Sequence, residues 1–254
     1  MSKKQTKQKQ TVSKRQARKE ELRKKERQQR IITIAAIIVI AAVIIGLIVI
    51  PSIQKTVNPA GEFVRITPQA YTTANGTSMG DPNAKVVIDI FEDFQCSACR
   101  IYTSDIEPQV ISEIAETGKA YYVFHQYPFE DDGSPDLKES DNSALASECG
   151  AEQNRFWDYK NLLFANQTQV EGQFNDIRLE AFAKSLNLDM EKFNVCYQEK
   201  RYQNKLEEGL SLGEQMGVQG TPSIFVNGEK ISPGKVPSFD LILEAVEKAK
   251  ASSE

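Results

Sequence analysis

Cys96 and Cys99 enclose Ser97 and Ala98 directly after the apolar, β-branched run Val86-Val87-Ile88-Asp89-Ile90-Phe91. A Cys-x-x-Cys spacing where a strand gives way to a helix is the layout of a thiol–disulfide exchange site. The turn places Cys96 at the helix N-terminus, where unpaired N–H groups and the positive end of the helix dipole favour an anion. The thiolate is the form that attacks disulfides, so a lowered pKa makes Cys96 the better nucleophile. Cys99, three residues on, shares its helix face and is within reach of a disulfide. Two other readings stay open at this point: half of a zinc site, which takes four ligands, or two inert core thiols. Zinc is short of ligands, because Cys149 and Cys196 are isolated and His125 is the single histidine. No metal is expected.

The dithiol must be placed in a compartment. Residues 1–30 carry thirteen Lys/Arg against Glu20, Glu21 and Glu26, a net charge of +10. Ile31 to Ile50 follows, 20 residues without a charge. About 20 apolar residues cross a bilayer core as a helix, and the basic flank stays in the cytoplasm. A cleavable signal peptide is the rival, but Leu47 to Ile53 offers no clear small-x-small cleavage site. The basic tail could bind nucleic acid; beside a span it reads more simply as a topogenic, lipid-attracting segment. The whole chain has 31 bases and 35 acids, which leaves 18 and 32 after residue 30, a net charge of −14. An acidic outer domain argues against a nucleic-acid partner. The expected organisation is a basic cytoplasmic tail at 1–30, a transmembrane anchor at 31–50, an extracytoplasmic linker at 51–80 and one folded domain at 81–252. Outside the cytoplasm disulfides persist, so the same motif can work in the oxidising direction.

Pro51, Pro59, Gly61, Pro68, Gly76 and Gly80 punctuate the linker, with room for one short strand at Glu62 to Ile66. Beyond it, Val86 to Phe91 reads as a central strand. A helix follows from Ser97 to about Thr117, kinked at Pro108 and ended by Gly118. Ala120 to Gln126 is a strand and Asp131 to Asp136 a loop. Four helices are expected at about 139–150, 154–166, 176–186 and 190–214, with Asn175 and Asp189 as N-caps of the last two. Ser223 to Val226 and Glu229 to Ile231 pair across the Asn227-Gly228 turn. A last helix runs from about Ser238, its cap, to Ala251, with Phe239, Leu241, Ile242 and Val246 inward. The fold class is therefore α/β, a thioredoxin-type fold with a helical subdomain inserted at about 138–215, preceded by one transmembrane helix.

Several stretches resemble the DsbA-like thiol–disulfide oxidoreductases. They are Gly80-Asp81-Pro82-Asn83-Ala84, Asp93-Phe94-Gln95-Cys96-Ser97-Ala98-Cys99, Phe156-Trp157-Asp158-Tyr159 with Leu162-Leu163-Phe164-Ala165-Asn166-Gln167, and Gly217-Val218-Gln219-Gly220-Thr221-Pro222-Ser223-Ile224-Phe225-Val226-Asn227-Gly228. The resemblance covers roughly residues 75–250. It implies a cis proline opposite the dithiol; Pro222 holds that place, with Thr221 before it. It also implies a redox-active Cys96–Cys99 disulfide in place of any cofactor. The partners it implies are reduced or unfolded secreted proteins as substrates and a quinone-linked, DsbB-like membrane protein as reoxidant. A disulfide reductase or isomerase of the same fold, and a non-catalytic tethered binding domain, are the alternatives.

The chain departs from relatives in two places. They often carry Pro-His or Pro-Ser/Tyr between the cysteines, where this chain has Ser97 and Ala98. They also often place a buried acid six residues before the first cysteine; here that residue is Ile90. Asp89 points to the other face by strand alternation, so either Glu92 or a water takes the role or the site is slower in proton transfer, and Asp93 reads as a turn residue. His125 reads as structural. Cys149 and Cys196, 47 positions apart, are open to a second disulfide, as in some relatives, or to two reduced thiols in a helical core.

Overall fold

Alternation along the strand Val87–Glu92 sends Ile88, Ile90 and Glu92 to one side of a sheet, and Val87, Asp89 and Phe91 to the other. The computed structural model describes residues 23–47, 60–129, 138–168, 170–231 and 235–252. The expected loop at 131–136, most of the basic tail and the end of the apolar span at 48–50 lie outside them. In chain order the described elements are helix α1 (Arg23–Leu47), strands β1 (Ala74–Asn75), β2 (Ser78–Met79) and β3 (Val87–Glu92), helices α2 (Ser97–Asp105) and α3 (Glu107–Val110), and β4 (Tyr121–Gln126). Then come α4 (Glu139–Ala151), α5 (Phe156–Ala165), α6 (Asp176–Ser185), α7 (Met190–Gln198), α8 (Gln203–Gln215), β5 (Ser223–Val226), β6 (Glu229–Ile231) and α9 (Phe239–Ala251).

By itself, α1 is long and apolar enough to cross a membrane: 25 residues with a mean hydropathy of 2.8 over its most apolar stretch. At about 1.5 Å per residue it exceeds the roughly 30 Å hydrocarbon core. An N-terminal helix of this kind is a membrane anchor or a signal sequence.

From Ala60 onward the chain forms a separate unit. Its sheet has the order β1-β2-β4-β3-β5-β6, with β3 and β4 parallel and the other neighbours antiparallel. Ile88 and Ile90 enter the larger core, which takes Val110 and Ile114 from the helices after β3 and Ile242 and Val246 from α9. Phe91 and Phe225 enter a smaller cluster that α8 covers with Leu210, Leu212 and Met216. There α8 lies flat on the end of β4: a Cβ at Gly209 would stand 2.2 Å from the Gln126 carbonyl oxygen. Helices α4 to α8 fall between β4 and β5, and α4, buried from Ser143 through Gly150, is their centre.

Four local expectations need correcting. Glu62 to Ile66 is not a strand; it is extended chain held by side chains, with Asn166 bonding both the N–H and the carbonyl of Val64. The linker stretch instead contributes β1 and β2 to the sheet. The helix at 190–214 is two helices. Lys200, at φ 48°, ends α7, with Arg201 N–H on the Cys196 carbonyl and Lys200 N–H on that of Tyr197, a helix stop usually made by glycine. Leu241, read as inward, is exposed, while Ile242 and Val246 are buried. The kink falls at Ile106, with Pro108 in the first turn of α3, where its missing N–H costs nothing. Gly118, at φ 73°, then closes a π-helical turn at Ile111–Ala115.

Candidate active site

Cys96 is the N-cap residue of α2, with extended backbone at φ −70° and ψ 118°. The Cys96 side chain makes no capping hydrogen bond to the first turn; the first-turn amides of Ala98 and Cys99 act on its charge. Across the gap, the Thr221–Pro222 peptide is cis, and the Cys96 thiol donates to the Thr221 carbonyl at 3.1 Å. The structure therefore brings Cys96, Cys99, Thr221 and Pro222 together. Ser97 is exposed and Ala98 half-buried; of the two, only the Ala98 amide acts on the Cys96 sulfur. Cys96 is 7 % exposed and Cys99 fully buried, both as free thiols.

The two sulfurs differ electrostatically. The Cys99 thiol, hydrogen-bonded to Cys96, is the largest influence lowering the Cys96 pKa, to about 6; the Thr221 side chain and the amides of Cys99 and Ala98 add to it. The buried Thr221 hydroxyl has no partner while Cys96 is a neutral thiol, so it is free to donate once the sulfur ionises. Cys99 is pushed well above its ordinary value, chiefly by burial, then by its bond to Cys96 and the nearby Glu92 charge. One sulfur is poised to attack or leave as an anion; the other holds its proton.

Glu92 ends β3 inside the core, fully buried, and its oxygens accept no hydrogen bond. Burial pushes its pKa up to about 8, against the pull of Lys160. Lys160 is also fully buried: its Nζ stands 3.5 Å from Glu92 Oε2, donates to Thr103 at 2.8 Å and pairs with Glu107. The rings of Phe124, Trp157 and Phe164 surround it at 5.1–5.9 Å. Tyr122 donates to Glu107 Oε1 at 2.9 Å. A buried ammonium is tolerable only with such company.

Asp93 is a turn residue and more. Its Oδ1 accepts the Gln95 amide at 2.8 Å and the Ser140 hydroxyl of α4 at 2.7 Å. From the far side Gln167 donates to the carbonyls of Phe94 and Cys96 at 2.6 and 3.0 Å. The helical block thus clamps the redox turn through Ser140 and Gln167. Asp89 pairs with His125 at 2.8 Å on the opposite face of β3, with the imidazole stacked on Phe91; neither reaches the cysteines. Cys149 of α4 and Cys196 of α7 are joined in a disulfide with Cα atoms 5.8 Å apart.

Sequence reasoning missed Lys160, Glu107, Ser140 and Gln167. Lys160 left a signal. It stands four and three residues after Phe156 and Trp157, and three and four before Leu163 and Phe164, inside the apolar stripe of α5. Gln167 closes the Leu162-to-Gln167 stretch that carries the resemblance, though with no role attached; Glu107 and Ser140 left no signal, because their partners come from remote segments.

A dithiol at a helix start, facing the loop before β5 on this sheet, defines a thioredoxin-fold thiol:disulfide oxidoreductase. The chain belongs to the thioredoxin family, whose model, described as thioredoxin, matches residues 72–245, and within that superfamily it is DsbA-like. It is similar to the probable disulfide bond formation protein D of Bacillus cereus, 29 % identical over 184 residues covering 70 % of this chain and 80 % of the relative. Disulfide bond formation protein D of Bacillus subtilis is 28 % identical over 174 residues, 67 % of this chain and 75 % of that protein. Among solved structures, oxidised BdbD from B. subtilis matches with a TM-score of 0.57 at 24 % identity, over 74 % of this chain and 98 % of that one. Chlamydia trachomatis DsbA matches with a TM-score of 0.60 at 20 % identity, over 74 % and 98 %. At these identities the two structures speak for the fold. Proteins of this class act on cysteine-containing proteins through a redox-active disulfide and exchange electrons with a redox partner.

Proposed function

We propose that the chain is an extracytoplasmic dithiol oxidase that introduces disulfides into secreted proteins, with Cys96 as the attacked sulfur and Cys99 as its buried partner. The observation that carries this reading is the placement of Cys96 at the start of α2, its sulfur against the Thr221 carbonyl and Cys99 buried behind it; the lowered Cys96 pKa agrees with it. A pKa of about 6 rather than 9 favours the reduced form at pH 7 by about 1.4 kcal/mol, or about 30 mV toward the oxidising side.

In the first step a substrate thiolate bonds to Cys96 Sγ, the Cys96–Cys99 bond breaks, and the electron pair leaves on Cys99. The proton of Glu92 passes to that sulfur, whose raised pKa favours taking it. A second substrate thiolate then attacks the substrate sulfur of the mixed disulfide, and Cys96 leaves as a thiolate. The substrate is oxidised by two electrons and the enzyme reduced by two. Thr221 and Pro222 shape the opposite wall, with the Thr221 carbonyl turned to the reacting sulfur. A DsbB-like, quinone-linked membrane protein reoxidises the pair, and α1 anchors the domain to the bilayer. Among the described residues no group of His, Cys, Asp and Glu is placed to hold a metal ion, and no step needs one.

Two measurements test this. Equilibration of the full chain with glutathione should give a potential above the glutathione couple; a value well below it would reverse the direction to reduction. Labelling of Cys96 in intact reduced cells by a membrane-impermeant maleimide should succeed; labelling only after permeabilisation would place the domain inside.

A further inference from the structure

Gln167 stands two residues beyond the end of α5, 3 % exposed. Its side-chain nitrogen meets two carbonyls of the redox turn, Phe94 at 2.6 Å and Cys96 at 3.0 Å. The Cys96 carbonyl also accepts the Arg100 N–H at 3.3 Å, as the first turn of α2 requires. Arg100 answers from the same helix, its Nη1 donating to the Gln167 carbonyl at 3.2 Å. Cys96, Arg100 and Gln167 thus close a ring that ties the start of α2 to the end of α5. The remaining side-chain atom of Gln167, Oε1, is buried without a hydrogen-bond partner. Turning the amide over would set that oxygen against two carbonyl oxygens, so the orientation is fixed. An unpaired buried acceptor is destabilising, and an apolar side chain of similar size, such as methionine, would avoid it. The amide is there for its N–H groups. Asn166, the residue before, is itself anchored: its Oδ1 accepts the Val64 N–H at 2.7 Å, and its Nδ2 donates to the carbonyls of Val64 and Leu162 at 2.9 and 2.8 Å.

We infer that Gln167, braced through Asn166 on the extended chain at Val64, is a positioning residue that aims the Cys96 sulfur at the Thr221 carbonyl. The inference deepens the proposed exchange at Cys96 and rests on it. The direction of the Cys96 side chain is set by the two peptide planes that flank the residue. The plane after it is held at the Cys96 carbonyl by Gln167 and Arg100. The plane before it is held by the Cys96 N–H on the Asp93 carbonyl at 3.1 Å. One residue earlier, the Phe94–Gln95 peptide is held by Gln167 on its oxygen and by Asp93 Oδ1 on its N–H. The Cys96 side chain makes no capping bond of its own, so its stand 3.1 Å from the Thr221 carbonyl follows from this backbone. Without the Gln167 N–H groups the turn gains freedom. The sulfur then leaves, for part of the time, the Cys99 thiol, the Thr221 side chain and the two amides that hold its pKa down. Gln167 reaches the backbone of Cys96, and acts on the sulfur only through it.

The test is the rate of Cys96 alkylation by iodoacetamide from pH 4 to 9, on the full chain in lipid nanodiscs with only Cys96–Cys99 reduced. Gln167→Met keeps the volume and loses both donors. It should raise the midpoint of the profile by about one unit, so that alkylation at pH 5 is about ten-fold slower while the rates at pH 9 converge. A denaturant melt of the same variant separates position from stability. An unmoved alkylation profile, with or without a lowered unfolding midpoint, would leave Gln167 a structural clamp alone and overturn the inference. Should Gln167→Met not fold, Val64→Pro replaces it, at a position 58 % exposed. It removes the N–H that Asn166 accepts and should slow alkylation at pH 5 by about two-fold or more; an unchanged profile overturns the inference. Alkylation needs no disulfide exchange, so the two readings fail separately. A parent chain whose Cys96–Cys99 disulfide dithiothreitol does not reduce would refute the exchange, whereas the alkylation profiles decide the positioning.

Discussion

The two cysteine pairs of the domain occupy equally dry places and are proposed to have opposite chemistry. Cys149 and Cys196 are 1 % and 0 % exposed and join α4 to α7 across 47 positions. Cys96 and Cys99 are 7 % and 0 % exposed, three positions apart, and free. Burial therefore does not separate the pair proposed to react from the disulfide-bonded one. The difference lies in what faces the sulfurs. Cys96 meets helix amides, a thiol and a hydroxyl able to donate, and Cys99 meets a buried acid. Cys149 and Cys196 belong to the same apolar core as Cys96 and Cys99, but their sulfurs face each other as a closed disulfide. Sequence separation adds a second contrast: cross-linking a long loop removes much denatured-state freedom, and cross-linking a four-residue one removes little.

The contrast breaks most sharply at Cys96. Cys96→Ala should abolish oxidation of a reduced test protein, whereas Cys99→Ala should accumulate mixed disulfides visible on non-reducing gels. Oxidation that survives Cys96→Ala would erase the distinction between the pairs. Next in size, the double replacement Cys149→Ala, Cys196→Ala should lower unfolding free energy by about 4 kcal/mol in the chain-entropy model. The same variant should leave the Cys96–Cys99 potential unchanged, so denaturant melts and a glutathione titration should separate. A potential that moves with stability would mean the pairs are coupled.

Glu92 sharpens the comparison through pH. Its folded pKa is raised to about 8, so the folded state keeps a proton that the unfolded chain releases at an ordinary carboxyl pKa. Stability is then full at low pH and declines as pH rises toward 8, by up to about 1.4 kcal/mol per unit. On the oxidised chain, in which Cys96 does not titrate, Glu92→Gln should flatten this decline and slow reduction. An unaltered slope in denaturation curves from pH 5 to 8 would argue that Glu92 is ionised throughout. The smallest effect belongs to Thr221→Val, which should raise the Cys96 pKa by less than about one unit, read from alkylation rate against pH; one side-chain donor out of several is lost.

Much of the domain could be read from the chain because local chemistry carries it. The strand, turn and helix at Val86 to Cys99 follow from β-branched residues running into a helix start. The side chains of Asn175, Asp189 and Ser238 do accept first-turn amides as caps. The misses have physical reasons. The α7–α8 break is made by Lys200 in the left-handed region, without the glycine or proline that announces a stop. The strands β1 and β2 are two residues each, too short for any periodicity. Glu92 was legible as the buried acid because alternation puts it on the core face with Ile88 and Ile90. Its partner Lys160 comes from a helix 68 positions later, and only its place in an aromatic stripe hinted at burial. Ser140 and Gln167 reach the redox turn by tertiary contact, which no local pattern encodes.

The proposed release of oxidised substrate requires Cys96 to leave as an anion at neutral pH while Cys99 holds its proton. Thiolate absorbance near 240 nm, followed from pH 4 to 10 on the full chain with only Cys96–Cys99 reduced, measures this directly. The account predicts one thiolate appearing with a midpoint of about 6 and no second one below pH 9. A single midpoint near 9, or two thiolates ionising together, would contradict it.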